Sequence, residues 1–404
     1  MSESLGTSPP PPPDVVPEDT STSLGSAISE RWRSGGAASA IATTILAFFV
    51  GGLVVLVTGH DPIATYRAIF NGTGLVWLLP GVGNRGNAAS NLQQTLIVAT
   101  PLMLTGLALA FAFRCGMFNI GGQGQYLAGQ TAAVLIGSSW VSLAGPAHIV
   151  IALVCATLAG AFWAGIAGFL KATTGAHEVI STIMLNWIAI WTADYFFGVN
   201  GPFQGPNAFN PVSKTIVQNT HLYVFWGNPL LQGLDIGFFI AIAMLFVYWL
   251  LLNRTTLGYE VRAVGFNPEA ARYGGIRVRR SYFAAMAISG AFAGLAGSID
   301  MLGWQFQLST PDIHASQIGF LGIAVALLGR NTAVGVFLAS ILFGALTVGT
   351  STRQLDPTVF NPELASNLTL IIQGLVVLFV GADVLVIAIW QSRKRLFGTR
   401  RAST

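Results

Sequence analysis

An all-α, multi-pass membrane protein with about ten transmembrane helices is the fold class this sequence predicts, and three observations predict it. Of the 404 residues, 53% are hydrophobic and only 9% charged, where an ordinary soluble domain carries roughly 25% charged residues. The apolar residues gather into runs that match the bilayer, since about 20 helical residues cross about 30 Å of hydrocarbon. Forty-seven glycines accompany them, as expected where lipid supplies no hydrophobic drive and helices must pack through small residues. A soluble globular enzyme is excluded on these grounds. The net charge of +4 reflects bases placed between apolar runs, so it reports topology rather than a nucleic-acid partner.

Residues 1–35 open with Pro9 to Pro13 in a row and hold no basic residue before Arg31. A secretory signal needs a basic start and then an apolar run, so this segment reads as a disordered, proline-rich cytoplasmic tail. The membrane domain is expected over 36–391. Its spans fall near 36–58, 90–113, 122–143, 147–170, 179–199, 236–252, 282–302, 315–329, 332–350 and 364–383. The eighth is short, so 315–350 also fits a broken or re-entrant arrangement. A basic cytoplasmic tail, 392–404, closes the chain.

The distribution of Lys and Arg tests that count, because cytoplasmic loops carry an excess of both. With the N-terminus inside, ten crossings place sixteen bases in the cytoplasm, among them Arg114, Lys171, Arg254 and Arg330. Only Arg67, Arg85, Lys214 and Arg353 fall outside. Both termini are therefore expected on the cytoplasmic side of the membrane. Two connections exceed a simple turn. The outer one, 200–235, is rich in Gly, Pro and Asn and reads as a lid or partner surface. The inner one, 254–281, is the most polar part of the core.

Several chemistries are excluded by what the residues do not form. Gly81-Val82-Gly83-Asn84-Arg85-Gly86 spells GxGxxG but has no βαβ unit around it, and no P-loop sequence occurs. Cys115 and Cys155 make neither a disulfide framework nor a metal cluster. The five histidines lie near span ends or in loops, the ordinary place for a polar ring. No nucleophilic or metal constellation suggests an enzyme, and no cofactor is expected. Glu178, Asp194, Asp300 and Asp383 all map near span ends, which argues against an ion-coupled carrier with midplane charges.

Neutral polar residues stand in the membrane instead. Asn119, Gln123 and Gln125 lie in GMFNIGGQGQ, and Asn186 in STIMLNWIAIW. Amides can hydrogen-bond a neutral polar solute without the cost of burying charge, and they serve equally as glue between helices. Gly121, Gly122 and Gly124 disfavour continuous helix, and broken backbone at membrane depth is tolerated only beside protein or a water-filled cavity. These four amides are the candidate solute pathway.

The inner loop reads as a docking device. Asn267 suits an N-cap, Pro268 the first turn, and Gly274-Gly275 a stop. Glu269 and Arg272 complement the helix dipole, while Ala270 and Ala271 allow close approach to a partner.

At these residues the sequence resembles the permease subunits of bacterial ABC importers, in the branch serving simple sugars and nucleosides. GMFNIGGQGQ (116–125), HEVISTIMLNWIA (177–189), GYEVRAVGFNPEAARYGGI (258–276) and GIAVALLGRNTAVGVFLASILFGAL (322–346) carry the resemblance. It implies a type II importer permease fold, a second permease in a homo- or heterodimer, separate ATPase subunits that bind the ATP, an extracytoplasmic solute-binding lipoprotein and a neutral small solute. It also implies that the 258–276 segment is the coupling helix, with Gly258, Arg262, Gly265, Asn267, Glu269, Ala270, Ala271, Arg272 and Gly275 as its residues. Related permeases often carry Glu where this chain has Gln123. The alternatives are a branched-chain amino acid permease of the same fold and an ion- or proton-coupled carrier or channel. A neutral polar pathway without charged partners favours neutral solutes over a zwitterion.

Overall fold

The computed structural model describes residues 37–80, 85–139, 144–206, 209–228 and 233–350, together with 367, 370–375 and 378. The proline-rich tail, the basic C-terminal tail and most of the 364–383 span lie outside the described residues. So do residues 81–84 of the glycine-rich stretch.

Thirteen α-helices follow one another among the described residues: α1 (Ala37–Val57), α2 (Pro62–Gly72), α3 (Arg85–Arg114), α4 (Gly122–Gly137), α5 (Gly145–Thr174), α6 (Glu178–Phe197), α7 (Gly237–Arg254), α8 (Thr256–Phe266), α9 (Pro268–Tyr273), α10 (Val278–Asp300), α11 (Thr310–Ala315), α12 (Ile318–Leu328) and α13 (Ala333–Gly349). A two-stranded antiparallel hairpin, β1 (Val224–Trp226) and β2 (Leu234–Asp235), sits in the outer connection. Six helical segments are long and apolar enough to cross a membrane, and two more apolar helices are shorter. A polytopic membrane protein is what these lengths make.

Two helices form the centre. The apolar window of α3 is 83% buried and that of α10 67%, against 28% for α5, α6 and α7. The outer helices are therefore apolar on the wrong side for water and the right side for lipid. Helix α5 shows how this is written in sequence: Val150, Val154, Leu158 and Phe162 are exposed, while Ala152, Ala156, Gly160 and Ala164 are buried. The small face is what lets α10 approach. A Cβ on Gly290 of α10 would stand 2.2 Å from the Gly160 carbonyl oxygen, and one on Gly294 would stand 2.4 Å from that of Ala156. Close backbone contact of this kind replaces the hydrophobic drive that lipid cannot give.

Two breaks interrupt the bundle among the described residues. The first, 115–121, separates α3 from α4, as the glycines of GMFNIGGQGQ suggest, although Gly122 and Gly124 themselves join the first turn of α4. The second, Ser316-Gln317, divides the Thr310–Leu328 segment into α11 and α12.

The end of the bundle bearing Arg114 is one face. Arg114 donates from Nε (3.1 Å) and Nη2 (3.0 Å) to the Asn331 carbonyl. Lys171 pairs with Glu178 at 2.8 Å, and Gly265 packs on the Arg114 carbonyl oxygen, 2.2 Å from where its Cβ would lie.

Candidate functional site

A knot of amides lies above that face. The Asn119 side chain exchanges hydrogen bonds with Gln125, Nδ2 to Oε1 and Nε2 to Oδ1, each 3.0 Å. Asn119 Nδ2 also donates to Ser289 Oγ on α10 at 2.8 Å, and Ser289 donates onward to the Ala108 carbonyl of α3 at 2.6 Å. Asn186 of α6 reaches across to the break, accepting from the Gly124 N–H (2.8 Å) and donating to the Ile120 carbonyl (2.9 Å). All four pathway candidates are buried to within 3% exposure. Three of them thus join α3, α4, α6 and α10 and satisfy the backbone groups that the 115–121 break sets free.

Gln123 points elsewhere. Its Oε1 accepts from the Gly319 N–H, 2.9 Å away, at the first turn of α12, while its Nε2 is buried without a hydrogen-bond partner. It links the first break to the second.

The second break opens on a cavity of about 690 Å³. Gln130 lies on α4 seven residues beyond Gln123, roughly 10 Å further from the Arg114 face, and lines it. With it stand Trp304, Gln305, Ser316, Gln317, Thr347 and Gln373, over apolar walls that include Val98, Leu102 and Leu321. The Ser316 hydroxyl is buried and unbonded. No Lys or Arg lines the cavity among the described residues.

One wall is a π-helical turn, Met301–Gln305, that continues α10. Such turns cluster at functional sites because the extra residue re-aims side chains. Here Trp304 Nε1 and Gln305 Nε2 both turn back onto the Asp300 carboxylate, the latter at 2.9 Å, and the Tyr126 hydroxyl donates to the same carboxylate. Gln130 donates to the Tyr126 oxygen at 3.0 Å. Asp300 is 1% exposed and accepts from three side-chain donors, which offset part of the cost of burying it. The turn ends at Phe306, whose φ of 58° is the left-handed region, a strained choice for an aromatic residue. His221 stacks on that ring at 3.8 Å.

The far side of the molecule carries the inner connection. Asn267 Oδ1 accepts from the Glu269 (3.0 Å) and Ala270 (3.1 Å) N–H groups, and Pro268 occupies the first turn of α9. At the other end the Ile276 N–H reaches the Ala271 carbonyl and the Gly275 N–H that of Arg272, each at 3.0 Å. Gly275 supplies the φ of +84° that this closure requires. Glu269 and Arg272 are exposed and 3.4 Å apart.

These features belong to a known family. The model of the branched-chain amino acid transport system / permease component family matches residues 91–381. The chain belongs to that family. The permease is also 37% identical over 348 residues to the guanosine ABC transporter permease protein NupP of Bacillus subtilis (strain 168), covering 84% of this chain and 91% of the relative. It is 31% identical over 347 residues to the nucleoside ABC transporter permease protein NupB of Lactococcus lactis subsp. cremoris (strain MG1363), covering 85% and 90%. It is 33% identical over 347 residues to the glucose ABC transporter permease protein TsgB13 of Haloferax volcanii, covering 84% and 86%. No solved structure matches. The permease is therefore a translocation subunit of an importer and not an ATPase.

Sequence reasoning placed the permease's inner helix well and missed its sharpest surface. Phe266, two residues before α9, and Tyr273, its last residue, are 91% and 93% exposed. An aromatic ring beside a run of bases was the available signal. Ala271 is buried against its own subunit, as is Gly258, 2.1 Å from the Leu251 carbonyl oxygen at its Cβ position, while Gly265 is half-buried against the Arg114 carbonyl. These three shape the arm that presents α9, whereas Asn267, Glu269, Ala270, Arg272 and Gly275 lie on its exposed side, with Arg262 bonded to the Gly258 carbonyl at 3.3 Å. The cavity residues Gln130, Trp304, Gln305 and Gln373 were also missed, because their meeting depends on a π turn that no periodicity announces.

Proposed function

We propose that this permease imports nucleosides by alternating access, driven by ATP that separate ATPase subunits bind and hydrolyse. The observation that carries the reading is the cavity at the Ser316-Gln317 break, where an indole stands among neutral amides and hydroxyls, with Asp312 the one acidic residue lining it among the described residues. A nucleobase offers a π face and a ribose offers hydroxyls, and both find partners there. Names of relatives that transport guanosine, nucleosides or glucose support a neutral, hydroxylated solute. An amino acid carboxylate would meet no cation on these walls, which disfavours the branched-chain amino acid alternative.

In this reading the cavity faces the extracytoplasmic side and receives solute from a binding lipoprotein. The amide knot of Asn119, Gln125 and Asn186, with the Gln123–Gly319 link, is the closed inner gate. Solute passes when those bonds exchange for bonds to the solute or to water. Ten crossings with both termini in the cytoplasm place α9 on the cytosolic side, where the ATPase grips it. A second permease completes the dimer.

The test is Trp304→Ala in the assembled transporter. Base–aromatic stacking is worth about 1–3 kcal/mol, so the half-saturating nucleoside concentration should rise about 5- to 150-fold, with Trp304→Phe retaining most of the affinity. Unlabelled nucleoside should compete for uptake and glucose should not. An unchanged half-saturation in Trp304→Ala would remove the cavity from the pathway.

A further inference from the structure

A second cavity, about 780 Å³, lies apart from the solute site, in the crevice between α1 and α13. Its walls are aliphatic, with Ile41, Ile45, Leu338 and Leu342 among them, and Arg114 and Arg330 stand at the end where α12 turns into α13. No acidic residue lines it among the described residues. Arg114 is fixed through its side chain and Arg330 through its backbone. Arg114 is anchored through Nε and Nη2 to the carbonyls of Asn331 and Arg330. Arg330 is held at a φ of +52° by the turn 329–332, in which the Asn331 N–H returns to the Ala326 carbonyl at 2.9 Å.

We infer that this crevice binds one anionic phospholipid, its acyl chain between α1 and α13 and its phosphate on Arg114 and Arg330. Charge and shape both argue for that occupant. An apolar groove open to hydrocarbon accepts a chain whose solvent is already lipid, while a paired guanidinium end selects for negative charge. Basic pockets between transmembrane helices on the cytoplasmic side are the expected seats for anionic head groups. A lipid seated there would buttress α1 at the face from which the α9 arm projects, where Gly116 and Gly265 bring the 115–121 break and α8 into contact. The inference rests on the orientation proposed above only for which leaflet supplies the lipid.

Native mass spectrometry of the purified full-length permease, delipidated and then offered equimolar phosphatidylglycerol and phosphatidylcholine, tests it. A basic residue near a head group is worth about fivefold in anionic lipid affinity, so the wild type should retain phosphatidylglycerol preferentially and Arg330→Gln should lose about fivefold of that preference. Leu338→Trp, at a position 60% exposed, should fill the groove and reduce retention of both lipids while the protein melts at the wild-type temperature. Equal retention of the two lipids by the wild type overturns the inference, and points instead to residues of the N-terminal tail or a second permease in the crevice. Retention unchanged in Leu338→Trp overturns it as well, even if Arg330→Gln fails to fold. Neither outcome touches the nucleoside reading, which uptake measures separately.

Discussion

Two aspartates lie buried behind the cavity wall, and the burial of Asp235 has a measurable consequence. Asp300 accepts from three side chains, whereas Asp235, 5% exposed, accepts from the Gly237 N–H at 2.6 Å at the start of α7. Burial pushes the Asp235 carboxyl up from 3.8 to about 6, outweighing the backbone hydrogen bonds that favour its charge. A carboxyl with a raised folded pKa binds its proton more tightly in the native state, so its contribution to stability is complete below pH 3.8 and fades as pH rises to about 6. Asp235→Asn keeps an acceptor for Gly237 and removes the charge. Thermal unfolding of that variant should flatten between pH 3.8 and about 6 relative to wild type, and at pH 7 it should be more stable by up to about 3 kcal/mol. A parallel pH profile in the two proteins would show that the Asp235 charge is stabilised by something other than Gly237.

Among elements, α9 is the clearest case of a helix built to be seen from outside. Its caps are internal and complete, so its exposed residues are not needed to keep it folded. The Glu269–Arg272 pair is about two-thirds exposed on each side, 69% and 66%, and exposed pairs of this kind contribute little. Replacing both with Ala should leave the melting temperature within about a degree or two of wild type and should sharply lower ATP-driven uptake; uptake at the wild-type rate would deny α9 the docking role. This helix was almost fully legible in the sequence, because Asn267, Pro268 and Gly275 act through local backbone chemistry that a short window contains. Most of the long spans were legible for a similar reason, since length and apolarity are properties of one segment. The solute cavity was not. Trp304, Gln305, Gln130 and Gln373 come from three separate regions of the chain, and their juxtaposition follows from a π turn and a broken helix that depend on tertiary contacts. The four amides were found by type, but three of them spend their hydrogen bonds on one another and on the backbone, which composition alone does not reveal.

Across the whole molecule, α10 connects the two working ends. It starts three residues past Gly275, directly after the α9 arm, and its 23 residues carry it about 35 Å through the centre of the bundle to Asp300 and the π turn. From within the turn onward, the chain from Leu302 to Thr310 is bonded alongside the outer connection. The Leu222, Ile216 and Ser213 N–H groups donate to the carbonyls of Leu302 (2.8 Å), Phe306 (2.8 Å) and Leu308 (2.9 Å), and the Thr310 N–H donates to that of Pro211 (2.9 Å). Val212 and Ser309 face each other in an antiparallel bridge. A rod gripped near one end by α9 and bonded at the other to the outer loop moves the Trp304 wall with it, so force on either face reaches the cavity without a flexible joint between them. If loop and wall form one body, joining them covalently should be harmless and separating them should not. A Val212→Cys, Ser309→Cys pair, placed where bridge partners lie within disulfide reach, should therefore transport about as well oxidised as reduced. Ser213→Pro, which removes the N–H bonded to Leu308 and the hydroxyl that accepts from the Leu308 N–H at 2.9 Å, should cut uptake even where the protein still inserts and folds. If oxidation stops transport and reduction restores it, the loop must part from the wall in each cycle, and the rigid connection through α10 is wrong.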